Sequence, residues 1–294
     1  MFLSSLSLGL LLSSSLVYSL PTDATASSTT PSPLRPHNDF SCRSTENPNP
    51  VVLLHGLGAT YYEDLNYLEA WLQIQGHCTF SITYGAYDGF PFVGGLKPIN
   101  ESAQQIASFI REVQTKTGAD KVDIVGHSEG AFQSLYVPKF TGVSPIIDKI
   151  VAIAPPTHGT TFANLWDLAY LLGNGTREAV GDVLRTFGCA ACDDLSVGGA
   201  AIAKLNDGTP ILQPGNQLTV IASKSDELVT PAGTSSWVEE DGVTNEFVQK
   251  TCSFDPVGHI GEAYDLNVWN LVKNALEGTP NRVFTCFIGS PGKI

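Results

Sequence analysis

From residue 50 onward, short apolar runs alternate with segments of helical periodicity. Val51-Val-Leu-Leu54 is an unbroken apolar run closed by His55-Gly56, the pattern of a strand buried on both faces. Residues 61–75 predict a helix with Tyr61, Leu65, Leu68 and Leu72 on one side, and residues 78–84, rich in aromatic and β-branched side chains, predict a strand. The clearest amphipathic helix is 99–117, where Ile106, Phe109, Ile110 and Val113 recur at helical spacing and Gly118 supplies the stop. A strand over 122–125, a helix over 129–137, strands over 150–154 and 218–222, and a closing helix over 263–276 complete the pattern. Such strand–helix repetition predicts an α/β fold with a mostly parallel central sheet flanked by helices. The alternation lapses after Ala154 for about sixty residues, too long for a bare loop in a compact domain. An inserted cap subdomain of helices and stapled loops is therefore expected over about 157–215.

The ends of the chain differ from this core. Residues 1–19 form a short apolar stretch with small or apolar residues at Val17 and Ser19, read as a secretory signal peptide. The rival reading, a membrane anchor, is disfavoured because the stretch is short and interrupted by Ser. Residues 20–40 are rich in Ser, Thr and Pro and predict a flexible tail, which leaves 41–294 as the folded domain. No later apolar run approaches spanning length. A secreted, extracellular chain is thus expected, and a monomer is the favoured state.

Cysteine count and charge fit that compartment. Cys42, Cys78, Cys189, Cys192, Cys252 and Cys286 can form three disulfides, and spacing alone does not choose among the fifteen pairings. Cys189-Ala-Ala-Cys192 could also be a redox or half-zinc motif, but a chain with no second such motif favours a stapled loop. The formal net charge is -13, a surface that repels nucleic acid and anionic membranes. Asn100 and Asn174 each begin a glycosylation sequon.

The segment that carries chemistry is Gly126-His127-Ser128-Glu129-Gly130, following a predicted strand and opening a predicted helix. That context is a nucleophile elbow. Ser128 then projects at the C-terminal edge of the sheet and is the candidate nucleophile. A serine hydroxyl needs a base held by an acid, and on this fold the partners follow in the order Ser, Asp/Glu, His. Asp226 stands just after the strand at 218–222, with Glu227 as its adjacent competitor. His259 is the one histidine downstream of Asp226 and is the expected base. The oxyanion hole needs two backbone N–H groups, assigned to Glu129 and to Leu57 in His55-Gly56-Leu57-Gly58. His127 is expected to point away from the nucleophile, and His158 to be a structural hydrogen-bonding residue with substrate contact as the alternative. No two histidines are spaced for a metal-binding helix face; neither a metal nor a cofactor is expected.

Taken together, residues 51–58, 118–131, 153–160, 223–231 and 257–265 resemble the secreted class 2 lipases of actinobacteria and their eukaryotic relatives. The resemblance implies an α/β-hydrolase fold and a triacylglycerol lipase or carboxylesterase without cofactor. It places Ser128, Asp226 and His259 in a triad, and Leu57 with Glu129 in the oxyanion hole. It also implies the disulfides Cys42–Cys78, Cys189–Cys192 and Cys252–Cys286. Glu129 departs from the pattern, because relatives often carry an uncharged residue there. A carboxylate beside a developing oxyanion would oppose it unless turned away or hydrogen-bonded. The expected substrate is a lipid or small ester, met by transient contact with a lipid–water interface. Phe90 and Phe92, after the second strand, and Phe162 and Trp166, opening the insertion, are candidate acyl contacts. The apolar run at 162–172 covers more than one helical face, which fits either ordinary core packing or a lid that opens on lipid. Other carboxylesterases, cutinase-like enzymes and acyltransferases share the constellation, and a non-catalytic binding protein would normally have lost a triad member.

Overall fold

The computed structural model describes residues 35–160 and 188–289. Among them, β1 (Val51–Leu54), α1 (Asn66–Ile74), β2 (Thr79–Ser81), α2 (Ile99–Thr117), β3 (Val122–His127), α3 (Glu129–Phe140) and β4 (Ile147–Ile153) precede two short helices, α4 (Ala190–Leu195) and α5 (Ala200–Leu205). After these come β5 (Gln217–Ala222), β6 (Val243–Phe247), α6 (Val248–Thr251), α7 (His259–Glu262) and α8 (Leu266–Leu276). The strands form one six-stranded sheet in the order β2-β1-β3-β4-β5-β6, with every pairing parallel.

The unbroken apolar runs are explained by what lies on each face. Successive strand residues point to opposite sides, and β1 feeds two separate cores. Val52 and Leu54 join Ile124, Ala152 and Val220 in a core closed by α2, α3, α4 and α5. Val51 and Leu53 join Val125, Val151 and Ile221 in a second core under α1 and α8, built on Leu68, Leu72, Val268 and Val272. Burial on both sides removes any polar alternation from β1 and β3, whose residues are all buried.

The strand order reverses at β1. The chain steps outward from β1 to β2, then returns to place β3 on the other side of β1. A crevice opens outside the C-terminal ends of the strands at such a switch point, and ligands bind there.

Some boundaries differ from the sequence pattern. The first helix begins at Asn66, because Asp64 is held at φ 67° by contacts described below; Tyr61 lies outside it and is partly exposed. β2 is only three residues long. β6 and α6 were not legible, since Val243-Thr-Asn-Glu-Phe247 has no apolar run: it is an edge strand paired on one side only. The packed chain begins before Phe40. Asn38 exchanges two hydrogen bonds of 2.9 Å with the Ser81 backbone, and His37 stacks on Tyr61 with ring centroids 4.1 Å apart. Cys42–Cys78, Cys189–Cys192 and Cys252–Cys286 are disulfide-bonded. Among the described residues no helix is long and apolar enough to cross a membrane.

Candidate active site

Four chain segments meet at the switch point. β3 ends at His127 and α3 starts at Glu129, so the chain must reverse within Ser128. It does so at φ 56°, ψ -118°, a conformation costly for a residue with a side chain. The two flanking glycines make the reversal sterically accessible. A Cβ on Gly126 would lie 2.2 Å from the Gly130 carbonyl oxygen, and one on Gly130 would lie 2.0 Å from that of Leu54. The turn is locked by Ser128 N–H donating to Ile153 O at 2.9 Å.

His259 reaches Ser128 from the far edge of the sheet. Its Nε2 is 2.9 Å from Ser128 Oγ, and its Nδ1 is 3.0 Å from Asp226 Oδ2. Asp226 sits just beyond β5, where its other oxygen accepts the N–H groups of Leu228 at 2.8 Å and Val229 at 2.9 Å. Burial opposes the Asp226 charge. His259 and these N–H donors outweigh burial and hold the carboxyl below its ordinary value. Glu227 does not take the acid position; its Oε2 accepts the His259 backbone N–H at 3.2 Å. His259 opens the short α7 rather than lying in an open loop.

The loop after β1 is fixed beside the nucleophile. A Cβ on Gly56 would lie 3.3 Å from Ser128 Cβ, so Leu57 follows directly at the site. His55 stacks on Tyr84 at 4.2 Å between centroids. Its Nδ1–H donates to Gly56 O at 2.8 Å, and Nε2 accepts Tyr84 N–H at 3.3 Å. That pattern needs a neutral imidazole, and burial lowers the His55 pKa to about 4. The loop after β2 runs alongside: Gly58 N–H donates to Gly94 O at 3.0 Å, and Gly94 N–H to Ala59 O at 2.9 Å. This loop carries Phe90, partly buried, and Phe92, 79% exposed. Phe162, Trp166 and the apolar run at 162–172 lie outside the described residues, as does Asn174. Asn100 is exposed near the start of α2.

The Glu129 side chain is turned inward. It is buried against Gly95, where a Cβ would lie within 3.1 Å of its Cδ. Gln133 is a polar neighbour, yet among the described residues no hydrogen bond of normal geometry reaches either carboxyl oxygen. Burial, with the nearby Asp194 charge, pushes its pKa well above the usual carboxylate range. Glu262 is likewise fully buried and raised by burial first and by the Asp226 charge next.

The remaining histidines have other partners. His127 points away from Ser128: its Nδ1 is 2.8 Å from Asp64 Oδ1 and its Nε2 is 3.0 Å from the His259 carbonyl oxygen. His158 Nε2 bonds Trp237 O at 2.9 Å. His77 follows α1 and is buried. His127, His259 and Glu262 bring potential metal-binding atoms within 4.8 Å of one another. The donor set does not fit an ion, because both nitrogens of each histidine are already engaged. Glu227, the competitor for the acid position, serves the His259 backbone instead; Asp64 and Glu262 are site residues the sequence did not reveal, since nothing in spacing marks a carboxyl that meets His127 or Asp226 across more than thirty positions.

Comparison with known proteins agrees with this geometry. The sequence model of the family described as lipase (class 2) matches residues 48–259. A triacylglycerol lipase of Pseudarthrobacter phenanthrenivorans is 30% identical over 119 residues, 39% of this chain and 35% of that protein. A triacylglycerol lipase of Burkholderia plantarii is also 30% identical over 119 residues, 31% of its length. The matched stretch thus spans about a third of those relatives. Among solved structures, lipase B of Aspergillus fumigatus superposes with a TM-score of 0.56 at 18% identity, over 84% of this chain and 55% of that one. A monoacylglycerol lipase of Paleococcus ferrophilus gives 0.51 at 17% identity, over 81% and 97%. Those structures share the α/β-hydrolase fold, and with a family match across most of the packed chain and a serine, a histidine and an aspartate joined at its switch point, the protein belongs to the class 2 lipase family.

Proposed function

We propose that this protein is a secreted serine hydrolase of carboxylic esters whose substrates are triacylglycerols. The observation that carries the reading is the unbroken chain Ser128 Oγ, His259 Nε2, His259 Nδ1, Asp226 Oδ2, with links of 2.9 and 3.0 Å. His259 takes the Ser128 proton as Oγ attacks the ester carbonyl. Asp226 holds the ring in the Nδ1–H tautomer and offsets the imidazolium charge. His259 then protonates the departing alcohol, and water releases the acid by the same route. The backbone N–H groups of Leu57 and Glu129 receive the oxyanion. The rigid loop at Gly56 and the helix start at Glu129 support that assignment, since preorganised donors need no rearrangement during reaction. The Glu129 carboxyl is turned inward, and burial favours its uncharged form, which does not oppose an oxyanion.

Triacylglycerol as substrate is supported by what the named relatives act on. It also draws on the aromatic side chains Tyr62 and Phe92, which are 72% and 79% exposed on the two loops paired beside Ser128. The apolar first nineteen residues and the three disulfides support export. A fluorophosphonate probe should label the wild-type chain and fail on Ser128→Ala. Hydrolysis of emulsified triacylglycerol should fall by about 10⁴- to 10⁶-fold in that variant. Good turnover of p-nitrophenyl esters with none of triacylglycerol would reassign the substrate while leaving the mechanism intact.

A further inference from the structure

Beneath the triad lies a second buried histidine–carboxylate contact that the ester chemistry does not use. Asp64 and His127 are both buried. One Asp64 oxygen accepts the Gly56 N–H at 2.6 Å, and the other lies 2.8 Å from His127 Nδ1. On its far side, His127 Nε2 meets the main-chain carbonyl of His259 at 3.0 Å. Asp64 N–H donates to the Tyr264 hydroxyl at 3.0 Å. One pair of side chains therefore joins the loop after β1, the residue before the nucleophile and the segment bearing the catalytic base.

We propose that Asp64 and His127 form a positioning ion pair, with His127 held as an imidazolium, that locks the oxyanion loop to the segment carrying His259. The proton count follows from the partners. A carbonyl oxygen only accepts, so His127 Nε2 must carry a proton. The second proton lies between Nδ1 and Asp64 Oδ1. Imidazole is ordinarily the stronger base, 6.5 against 3.8 for the carboxyl, and the Gly56 N–H stabilises the carboxylate form.

The groups facing the pair agree with this. Burial alone would lower the His127 pKa, but the Asp64 charge and hydrogen bond, the His259 carbonyl and the Asp226 charge raise it instead. Burial would raise Asp64, and the His127 charge with the hydrogen bonds from His127 and the Gly56 N–H lower it instead. His259 lies 4.9 Å from the His127 ring between centroids, and burial raises the Glu262 pKa, which disfavours a negative charge beside the pair. When the imidazolium loses its proton, the tautomer that keeps the Asp64 bond turns a lone pair toward the His259 carbonyl. The link to the catalytic segment is then lost. The pair thus acts on turnover through the placement of His259, where an error of about 1 Å can cost 10²-fold.

The test uses the full-length protein and variants with a p-nitrophenyl ester, alongside ¹⁵N NMR of the histidine side chains. At pH 7 both His127 nitrogens should be protonated in the wild type, with the resonance assigned by its absence from His127→Asn. Asp64→Asn preserves every hydrogen bond with a neutral Nε2–H tautomer; only one nitrogen should then carry a proton. His127→Asn keeps the Asp64 contact but cannot reach the His259 carbonyl. Its kcat should fall about ten- to a hundredfold with KM changed less than about twofold. Wild-type kcat should decline at alkaline pH in step with the His127 titration, and Asp64→Asn should lack that decline. A neutral His127 at pH 7 in the wild type, a folded His127→Asn that keeps its kcat, or the same alkaline decline in Asp64→Asn would each overturn the proposal. The inference rests on the hydrolase reading for its kinetic arm only. A wild-type chain that hydrolyses no ester would remove that reading, and the NMR arm would still decide the ion pair.

Discussion

At the level of single residues, the site is defined as much by which groups are neutral as by which are charged. Glu129 and Glu262 are buried acids whose pKa values are raised above the ordinary 4.5. In the unfolded chain they ionise near that value; in the folded protein they keep their protons to higher pH. Their contribution to stability is therefore complete below about pH 4.5 and declines as pH rises, by about 1.4 kcal/mol per pH unit for each group until the folded pKa is reached. Glu129→Gln and Glu262→Gln remove the titration without removing the shape. Each variant should gain thermal stability relative to wild type between pH 5 and pH 9, as read by melting temperature, and Glu129→Gln should retain hydrolysis. Parallel melting curves across that range would show the carboxyls ionised inside the fold. The nucleophile, acid and base were legible from chain order and motif context, because a glycine-flanked serine between strand and helix is a local pattern. The burial of the Glu129 carboxyl against Gly95 was not, since it depends on a loop more than thirty positions away.

Elements explain how those residues reach one point. β1 and β3 are adjacent, and their C-terminal ends deliver Gly56 and Ser128 to the same crevice. The elbow tolerates no extra atom at Gly130, where a Cβ would lie 2.0 Å from the Leu54 carbonyl oxygen. Gly130→Ala should therefore destabilise the protein by at least about 1–3 kcal/mol, the usual cost of overpacking, because backbone rather than a mobile side chain blocks the space. Chemical denaturation checks this, and an unchanged midpoint would mean that β1 and α3 can separate without loss. α2 was predictable to its ends because a long amphipathic face and Gly118 act locally. α1 was predicted too long because Asp64 is drawn out of helical geometry by Gly56 and His127. β6 was missed because an edge strand with one partner needs no apolar run.

Across the whole molecule, the disulfides and paired loops hold the ends of the fold to its core. Cys252–Cys286 ties the C-terminal segment to α6, and Asn267 on α8 holds Phe287 through two 2.9 Å hydrogen bonds. Replacing both cysteines with serine should lower stability by about 2–5 kcal/mol, measurable by thermal unfolding. The exposed pair Tyr62 and Phe92 sits on the loops flanking the nucleophile. Changing both to serine should reduce activity on emulsified long-chain substrate more than on a soluble short-chain ester. Equal losses would place these rings in substrate binding rather than at the lipid surface.

The sequence by itself determined the α/β class, the alternation of buried strands and covering helices, and the order in which serine, aspartate and histidine enter the chain. These follow from periodicity and turn chemistry, which act over a few neighbouring residues. Tertiary structure alone decided that Asp64 pairs with His127, that the Glu227 carboxyl serves the His259 backbone, and that Glu129 and Glu262 are buried deeply enough to raise their pKa values. Each of those outcomes depends on which distant loops converge at the C-terminal edge of the sheet, and on how completely their convergence excludes water from the groups between them.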